Sequence, residues 1–337
     1  MSDDTNKPST SKPWWRDYFA TCEVIGQHFA FPVLVVVALV TATVVTAFAN
    51  GCRAKRSTVT LYTSQDQHFA EPVLKQFTRE TGIRVQSVFD SEAVKTAALA
   101  NRLLAETNHP QCDVWWSNEE LRTRQLASRG VFRETNAVAA FGFRSRRIVV
   151  NTNKLALADA PSSLVELTNE RWRGKFAIGY PLFGTTSAQF VALRQGWGVE
   201  RWLEWCHALA ANKPFLVDGN SVVVKLVGRG EAIVGLTDSD DVLAGQREGF
   251  PIAAAPLTSE SLLIPNTVAV VRGAPHPAEA QSLFTFLQSS YVTEMLNGAG
   301  AIESTNIGAR PHLRADMNAA ARDLETAMDE LKQIFLR

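Results

Sequence analysis

The feature that most constrains the fold of this chain is a pattern repeated six times, in which a strand-like run leads through a short polar segment into a helical run. Residues 58–62 begin the first copy, and its helical run ends at Gly82. The six polar segments are 63–66, 89–92, 117–119, 184–187, 218–221 and 237–241. Strands that alternate with helices form a mostly parallel sheet with helices on both faces, so the pattern predicts an α/β fold. Because the segments are split between two halves of the chain, we expect a cleft between two facing sheets.

Each polar segment offers groups that bind anions. The first N–H groups of a helix have no intrahelical partner, and hydroxyl or amide side chains stand beside them. The candidate ligand-binding residues of these segments are Ser64, Asp66, Ser91, Asn118, Gly184, Thr185, Thr186, Asn220, Ser221, Asp238, Asp240 and Asp241. One such segment means little by itself, whereas six predict a binding site.

The last of these segments, 237–241, is crowded with carboxylates and hydroxyls. An apolar run over 232–236 precedes it and a helical pattern over 242–248 follows. In an α/β sheet such a segment lies at the carboxyl edge of the strands, where ligands bind. Alternatively, Asp238 caps the helix, and Asp240 and Asp241 are stabilised by the dipole in its first turn. The two interpretations are compatible.

The N-terminus has a different character. Residues 29–49 form an almost wholly apolar run, long enough to span a bilayer as a helix. The small residue Gly51 and then Cys52 follow it, an order that resembles a bacterial lipoprotein signal. We therefore expect a polar leader over 1–28 and a transmembrane or lipoprotein signal segment over 29–51. Either a lipid on Cys52 or an uncleaved helix would tether the rest of the chain outside the cytoplasmic membrane.

Charge and short motifs exclude several classes of protein. The chain has 34 basic and 34 acidic residues, which argues against a broad nucleic-acid-binding surface. It has no G-x-S-x-G, H-E-x-x-H, P-loop or dinucleotide motif, so we expect no enzyme. Cys112 and Cys206 lie in apolar sequence without a C-x-x-C spacing, which predicts buried free thiols.

Five stretches of the chain together resemble a known family. They are 58–85, 112–118 (CDVWWSN), 144–151, 220–222 and 264–271 (IPNTVAVV). In this order they are similar to the bacterial extracellular solute-binding proteins of ABC importers, and most of all to the ferric-iron-binding branch. The resemblance covers residues 57–337.

The family implies a two-lobed periplasmic-binding-protein type 2 fold, in which the chain crosses between the lobes more than once. Hinge strands would lie near 146–151 and 253–264. Lobe 1 would comprise 58–145 and 262–305, and lobe 2 would comprise 146–261 and 306–337. A ligand closes the hinged cleft, and the closed form is recognised by the permease.

The iron ligands of the family are not retained in this sequence. The family's histidine falls on Asp66, its glutamate on Asn118, and its paired tyrosines on Asp240 and Asp241. The chain has no tyrosine between positions 180 and 291. Carboxylates at Asp66, Asp240 and Asp241 instead suit a hard cation, iron or a divalent ion, or a ligand with an amine.

The anion-binding half of the family's site is better retained. The resemblance places an anion on the segment 184–187 and on Asn220 and Ser221. Arg144 or Arg146 resembles an arginine near the hinge that faces this anion, and a guanidinium suits a carboxylate or phosphate. These arginines are alternatively part of the charged surface of a lobe.

The resemblance thus predicts a membrane-tethered, monomeric solute-binding protein. It would capture a small polar or anionic solute, or a metal ion with a synergistic anion, and deliver it to a permease and its ATPase. A sensor or partner-docking subunit with the same fold is the alternative, and an enzyme is the third.

Overall fold

The first of two sheets has the strand order β2-β1-β3-β9-β4. Its strands are β1 (Thr58–Thr63), β2 (Arg84–Phe89), β3 (Val114–Ser117), β9 (Leu263–Val270) and the first part of β4 (Ala139–Asn151). β1 is parallel to β2 and β3, whereas β9 is antiparallel to β3 and β4. The computed structural model describes residues 57–89, 97–133, 138–303, 308 and 310–336.

The second sheet begins with the remainder of β4. It contains β5 (Phe176–Gly179), β6 (Phe215–Val217), β7 (Val234–Asp238) and β8 (Ile252–Ala254). β7 pairs with β4 in antiparallel and with β5 in parallel orientation, and β6 extends the sheet beyond β5. β8 pairs with β4 as well. The predicted α/β architecture is present, but the sheets are not mostly parallel: of the eight pairings among the described strands, four are parallel and four are antiparallel. The antiparallel pairings all involve β4 or β9, the strands by which the chain passes from one sheet to the other.

Strand β4 belongs to both sheets. Its residues 139–145 pair with β9, and its residues 146–150 pair with β7. The change of partner occurs between Ser145 and Arg146. The chain returns to the first sheet between β8 and β9. Side chains near Ser145 therefore lie where the two sheets meet.

Ten α-helices are described between the strands and at the end of the chain. They are α1 (Gln67–Thr81), α2 (Ala97–Ala105), α3 (Leu121–Ser128), α4 (Gly184–Trp197), α5 (Val199–Ala211), α6 (Asn220–Gly228), α7 (Ser239–Arg247), α8 (Pro277–Leu287), α9 (Ser290–Ala299) and α10 (Met317–Phe335). Three short 3₁₀ helices, Leu157–Asp159, Val165–Thr168 and Glu170–Trp172, occupy the region between β4 and β5.

Helices cover both faces of each sheet, as the sequence predicted. In the first sheet, Trp116 packs with residues of α1, α8 and α9, and its neighbour Trp115 packs on the other face with α2. In the second, Trp202 and residues of α10 lie in one core, and Val223 and Val242 lie in another. Strands buried on both faces are typical of such sheets.

Several local predictions are confirmed and others are corrected. Cys112 and Cys206 are buried free thiols. The segments 184–187 and 237–241 do not form loops between a strand and a helix, because α4 already begins at Gly184 and α7 at Ser239. From the second turn of a helix onwards the backbone N–H groups bond within the helix, so the polar residues can lie in its first turn.

The predicted anchor lies outside the described residues. Residues 1–56, which include the apolar run and Cys52, are not among them. Among the helices that the structure does describe, none has the length and apolar character to cross a bilayer.

Candidate functional site

Strand β7 passes directly into helix α7 at the acidic segment. Asp238 ends the strand, and Asp240 and Asp241 lie in the first turn of the helix. The positive end of the helix dipole favours carboxylates at these positions. The side chain of Asp238 makes no capping hydrogen bond, so the capping interpretation is wrong for it.

Asp238 instead anchors a buried polar network. Arg146 Nη1 donates to its Oδ1 at 2.7 Å, and Thr185 Oγ1 and Asn220 Nδ2 donate to its Oδ2 at 2.7 and 3.1 Å. Arg144 Nη2 lies 3.3 Å from the same Oδ2. Burial alone would raise the pKa of Asp238, but the positive charges of Arg144 and Arg146 outweigh burial, and the pKa is lowered. Asp238 is therefore ionised and has both oxygens occupied.

Arg144 connects the two sheets through Asp240. Its Nη1 donates to Asp240 Oδ2, and its Nη2 lies 3.4 Å from the backbone oxygen of Asn118, which follows β3 of the first sheet. Burial opposes the charge of Arg144, but the carboxylates of Asp240 and Asp238 hold its pKa above the usual value. Arg144 and Arg146 are buried, so the alternative that they belong to the charged surface of a lobe is wrong. Arg144 pairs with carboxylates of the protein and also lines the cavity, and its role as an anion ligand stays a prediction.

Asp240 and Asp241 carry carboxylate oxygens that this hydrogen-bond network does not use. Asp240 Oδ1 is buried without a hydrogen-bond partner. Burial and the nearby charges of Asp238 and Asp66 raise the pKa of Asp240 to about 6, although Arg144 opposes them. Burial and the neighbouring carboxylates also raise the pKa of Asp241 well above its usual value. Carboxylate oxygens of Asp238, Asp240 and Asp241 lie within 4.8 Å of one another.

A second wall is formed by the first turns of α4 and α6. Gly184, Thr185 and Thr186 begin α4, and Asn220 begins α6 after Gly219. The N–H groups at these positions have no intrahelical acceptor and favour negative charge. Asn220 also donates to Thr185 Oγ1 at 3.0 Å, which fixes the two helix ends against each other.

The first sheet contributes the third wall. Asp66 precedes α1, and Asn118 follows β3. Ser64 lies behind Asn118, where its hydroxyl donates to Asn118 Oδ1 at 3.1 Å. The Asn118 Nδ2 group is buried without a hydrogen-bond partner. Asn118 thus presents an unused donor to the space between the sheets.

These three walls enclose one cavity. Its lining residues are Asp66, Asn118, Arg144, Gly179, Tyr180, Phe183, Gly184, Thr185, Thr186, Asp218, Gly219, Asn220, Asp238 and Asp241. Its volume is ≈ 40 Å³, so the cavity is small.

Most of the residues predicted as ligand-binding meet at this cavity. Asp240 lies beside it through its contacts with Arg144 and Asp241, and Ser64 is in the layer behind. Ser221 follows Asn220 in α6 but does not line the cavity. Ser91 and Cys52 lie outside the described residues.

Sequence reasoning missed other residues of the site. Gly179, Tyr180 and Phe183 line the cavity at the end of β5, and Gln189 Oε1 accepts from Arg146 Nε at 2.9 Å. The first three lie directly before the predicted segment 184–187, and Gln189 lies just after it. Asp218 and Gly219 also line the cavity, and both belong to the predicted segment 218–221.

The donor set fits a hard cation with an anion beside it. The carboxylates at and beside the cavity are Asp66, Asp218, Asp238, Asp240 and Asp241, and the guanidinium groups are Arg144 and Arg146. Burial, and after it the charges of neighbouring carboxylates, raises the pKa of Asp240 and Asp241, so ionising both without a cation is unfavourable. Oxygen ligands of this kind suit hard metal ions.

Comparison with known proteins places the chain in a family. A model of the bacterial extracellular solute-binding proteins matches residues 59–301. The chain belongs to this family. As a member of the bacterial extracellular solute-binding proteins, it has the identity that its sequence resemblance predicted.

Relatives and solved structures agree with this assignment. The "Major ferric iron-binding protein" of Neisseria gonorrhoeae is 30% identical over 194 residues, or 51% of this chain and 56% of the relative. The chain thus matches little more than half the length of this curated relative. Iron-bound HitA from Pseudomonas aeruginosa has a TM-score of 0.73 at 21% identity, over 82% of this chain and 99% of that one.

A further structure shares the fold with a different ligand. AfuA from Actinobacillus pleuropneumoniae, with fructose-6-phosphate bound, has a TM-score of 0.73 at 17% identity, over 84% of this chain and 99% of that one. At such identities the likeness establishes the two-lobed α/β fold of periplasmic binding proteins, which the sequence predicted. It does not transfer either ligand to this member of the family.

Proposed function

We propose that this protein is the solute-binding component of an ABC importer and captures a hard metal cation, iron or a divalent ion, together with a small anion. The observation that supports this most is the pair Asp240 and Asp241 beside two helix N-termini. Asp240 Oδ1 has no hydrogen-bond partner among the described residues, and a carboxylate oxygen of Asp241 lies within 4.8 Å of one of Asp240. The cavity therefore has unused acceptors next to unused donors, which a cation with its anion would satisfy together.

The carboxylates are not equally available to a cation. Asp238 is occupied by Arg146, Thr185 and Asn220. Asp241 and the free oxygen of Asp240 are the primary ligands in this proposal. Asp66 approaches from the opposite wall and would bind the same cation. A ligand held from both walls would draw the lobes together.

The anion would bind where the sequence predicted it. Gly184, Thr185 and Thr186 offer the N–H groups of the first turn of α4, and Asn220 offers those of α6. A small anion there would complete the coordination of the cation and neutralise the charge that a trivalent ion leaves. The small volume of the cavity, ≈ 40 Å³, favours an ion with a small anion, whereas a sugar phosphate requires the lobes to open.

The lobe limits in this proposal are those predicted from the sequence, 58–145 with 262–305 and 146–261 with 306–337. The change of partner in β4 between Ser145 and Arg146 supports the first limit. The closed lobes would be recognised by the permease and ATPase, with the protein acting as a monomer.

We also place the protein in the periplasm, tethered to the cytoplasmic membrane. The apolar run 29–49 and Cys52 support this part of the proposal. Mass spectrometry of the mature N-terminus tests it. A lipid on an N-terminal Cys52 or an intact residue 1 agrees with tethering, whereas unmodified cleavage after position 51 or beyond contradicts it.

Thermal unfolding of the chelator-treated protein tests the ligand. Mn²⁺, Ca²⁺ and Fe³⁺ are added with and without phosphate, and a ligand at 100 times its Kd should add about 2.7 kcal/mol of stability. The Asp241→Asn variant should lose most of this gain. Asp159→Asn provides a matched control, because it also removes one carboxylate charge, but from an exposed residue that does not belong to the acidic segment 237–241.

Other outcomes would contradict the proposal. Stabilisation by fructose 6-phosphate without metal would indicate an organophosphate-binding protein instead. Conversion of the bound compound to a product would indicate an enzyme. Cation binding that survives Asp241→Asn unchanged would remove the acidic segment from the site.

A further inference from the structure

Arg144 has a position that the anion-binding role does not explain. It lies on β4 opposite Ile264 of β9, two residues before Arg146, which pairs with Asp238 at the end of β7. Its side chain is 5% exposed and lines the cavity. It therefore places a fixed positive charge between the two sheets, inside the proposed ligand site.

The contacts of Arg144 are directed at the carboxylates. Nη1 donates to Asp240 Oδ2, and Nη2 lies 3.3 Å from Asp238 Oδ2. Asp238 already has Arg146 at 2.7 Å, so Asp240 depends on Arg144 for its charge partner. A cation bound at Asp240 would share this carboxylate with the guanidinium.

Unpartnered buried atoms beside this pair indicate that the site takes a ligand. Within the described part of the chain, Asp240 Oδ1, Arg144 Nε and Asn118 Nδ2 have no hydrogen-bond partner, and all three residues are at most 5% exposed. Buried polar groups in folded proteins are rarely left in this state. The acidic cluster is thus accompanied by donors and an acceptor that no described residue satisfies.

We propose that Arg144 is a specificity-determining residue that reduces the negative charge of the cleft by one and so favours divalent over trivalent cations. This inference rests on the proposed function, because it presumes that a cation binds at Asp240 and Asp241. The guanidinium of Arg144 offsets part of the negative charge that Asp240 and Asp241 offer to a cation. It repels a trivalent ion more strongly than a divalent one at the same position.

The size of the effect follows from Coulomb's law. One additional unit of cation charge roughly 5 Å from the guanidinium lowers affinity about 4-fold at the dielectric constant of water. At an effective dielectric constant of about 20 the factor is about 300-fold. Removing the guanidinium should therefore raise the ratio of trivalent to divalent affinity by at least about 4-fold.

Tb³⁺ and Ca²⁺ are suitable probes, since they are hard, oxygen-seeking ions of similar radius that differ in charge. Titration calorimetry of the full-length protein, supported by Tb³⁺ luminescence, gives the affinity ratio for wild type, Arg144→Gln and Arg144→Lys. We expect the ratio to rise at least about 4-fold in Arg144→Gln. In Arg144→Lys, which keeps the charge, the ratio should stay within about 2-fold of wild type, as the same charge argument requires.

A residue that only supports the fold would change both affinities equally and leave the ratio as it was. An unchanged ratio in Arg144→Gln therefore overturns this inference while the proposed function stands. If wild type binds neither Tb³⁺ nor Ca²⁺, this inference is overturned, whereas the proposed function is decided separately by thermal unfolding with Mn²⁺ and Fe³⁺.

If Arg144→Gln alone does not fold, the same test can be made in a protein that already carries Asp240→Asn. Asp240→Asn with Arg144→Gln replaces the buried ion pair by two neutral amides. Relative to Asp240→Asn alone, this double variant should raise the Tb³⁺ to Ca²⁺ ratio at least about 4-fold. An equal ratio in these two variants contradicts the role of Arg144.

Discussion

Asp240→Asn should make the ligand-free protein more stable at neutral pH. The pKa of Asp240 rises from its ordinary value of 3.8 to about 6, with burial as the main cause. The folded chain therefore binds more protons than the unfolded chain between these values, and stability falls as the pH rises from about 4 to about 6. Above this window the ionised carboxylate costs about 3 kcal/mol, because each pKa unit corresponds to about 1.4 kcal/mol.

An asparagine at this position has nearly the same shape and carries no charge. Its oxygen still accepts from Arg144, and Arg144 keeps its contact with Asp238. Asp241 would ionise more readily once its neighbour is neutral, which lowers the cost of its own burial and acts in the same direction. We therefore expect a gain of about 1–3 kcal/mol at pH 7.5, which corresponds to about 2–6 °C in Tm for a chain of this size.

Calorimetric or circular-dichroism melting with a chelator, at pH 7.5 and pH 4, measures this gain. The difference between wild type and Asp240→Asn should shrink towards pH 4, where Asp240 is protonated in the folded state. Asp159→Asn, an exposed change, should differ from wild type by less than about 0.5 kcal/mol at both pH values. Lower stability of Asp240→Asn at pH 7.5 would refute the reasoning, because it would mean that the charge stabilises the fold.

Three further predictions concern other parts of the structure. Thr186→Val removes a hydroxyl at the cavity that bonds to no described residue. Calorimetry should show that cation binding by this variant depends less on the anion, while Tm changes by less than about 2 °C. Burial raises the pKa of Glu119 from 4.5 to about 7, so the stability of the protein should fall by up to about 3 kcal/mol as the pH rises through this window. Melting curves of Glu119→Gln, measured across the same pH range, should lack this fall. Gly235→Ala would place a Cβ 2.6 Å from Val223 Cγ1, between β7 and α6. This overpacking should lower the free energy of unfolding in urea by about 1–3 kcal/mol. An unchanged urea midpoint would show that α6 can move away.

The strands and helices could be predicted because their signals are local. The run 58–62, for example, is a strand one residue longer than expected, and the helical pattern that ends at Gly82 is α1. Alternation and capping residues depend only on neighbours along the chain, and the family resemblance ordered these elements into two lobes. The exact start of α4 and α7 was missed, because hydroxyls and carboxylates are equally frequent before a helix and in its first turn.

The partners of the acidic segment could not be predicted in the same way. The bond from Arg146 to Asp238 joins residues 92 positions apart, and that from Arg144 to Asp240 joins residues 96 apart. A single sequence contains no signal that assigns either arginine to a carboxylate rather than to an anion. Both interpretations satisfy the same guanidinium chemistry, and it is the path of β4 past the end of β7 that brings the arginines to these carboxylates.

The same geometry suggests how binding is coupled to closure. In the ligand-free site, Asp240 and Asp241 are held near each other with only Arg144 to offset their repulsion, so the cluster is a source of instability. A cation removes this repulsion, and its binding free energy includes the recovered stability. Asp66 and Asn118 lie on the wall formed by the first sheet, and Asp241 lies on the wall formed by the second. The stability recovered on binding is therefore greatest when both walls contact the ligand. The unfavourable acidic cluster is then the feature that makes the closed form depend on the ligand, and replacing it with neutral residues should yield a more stable protein that no longer responds to cations.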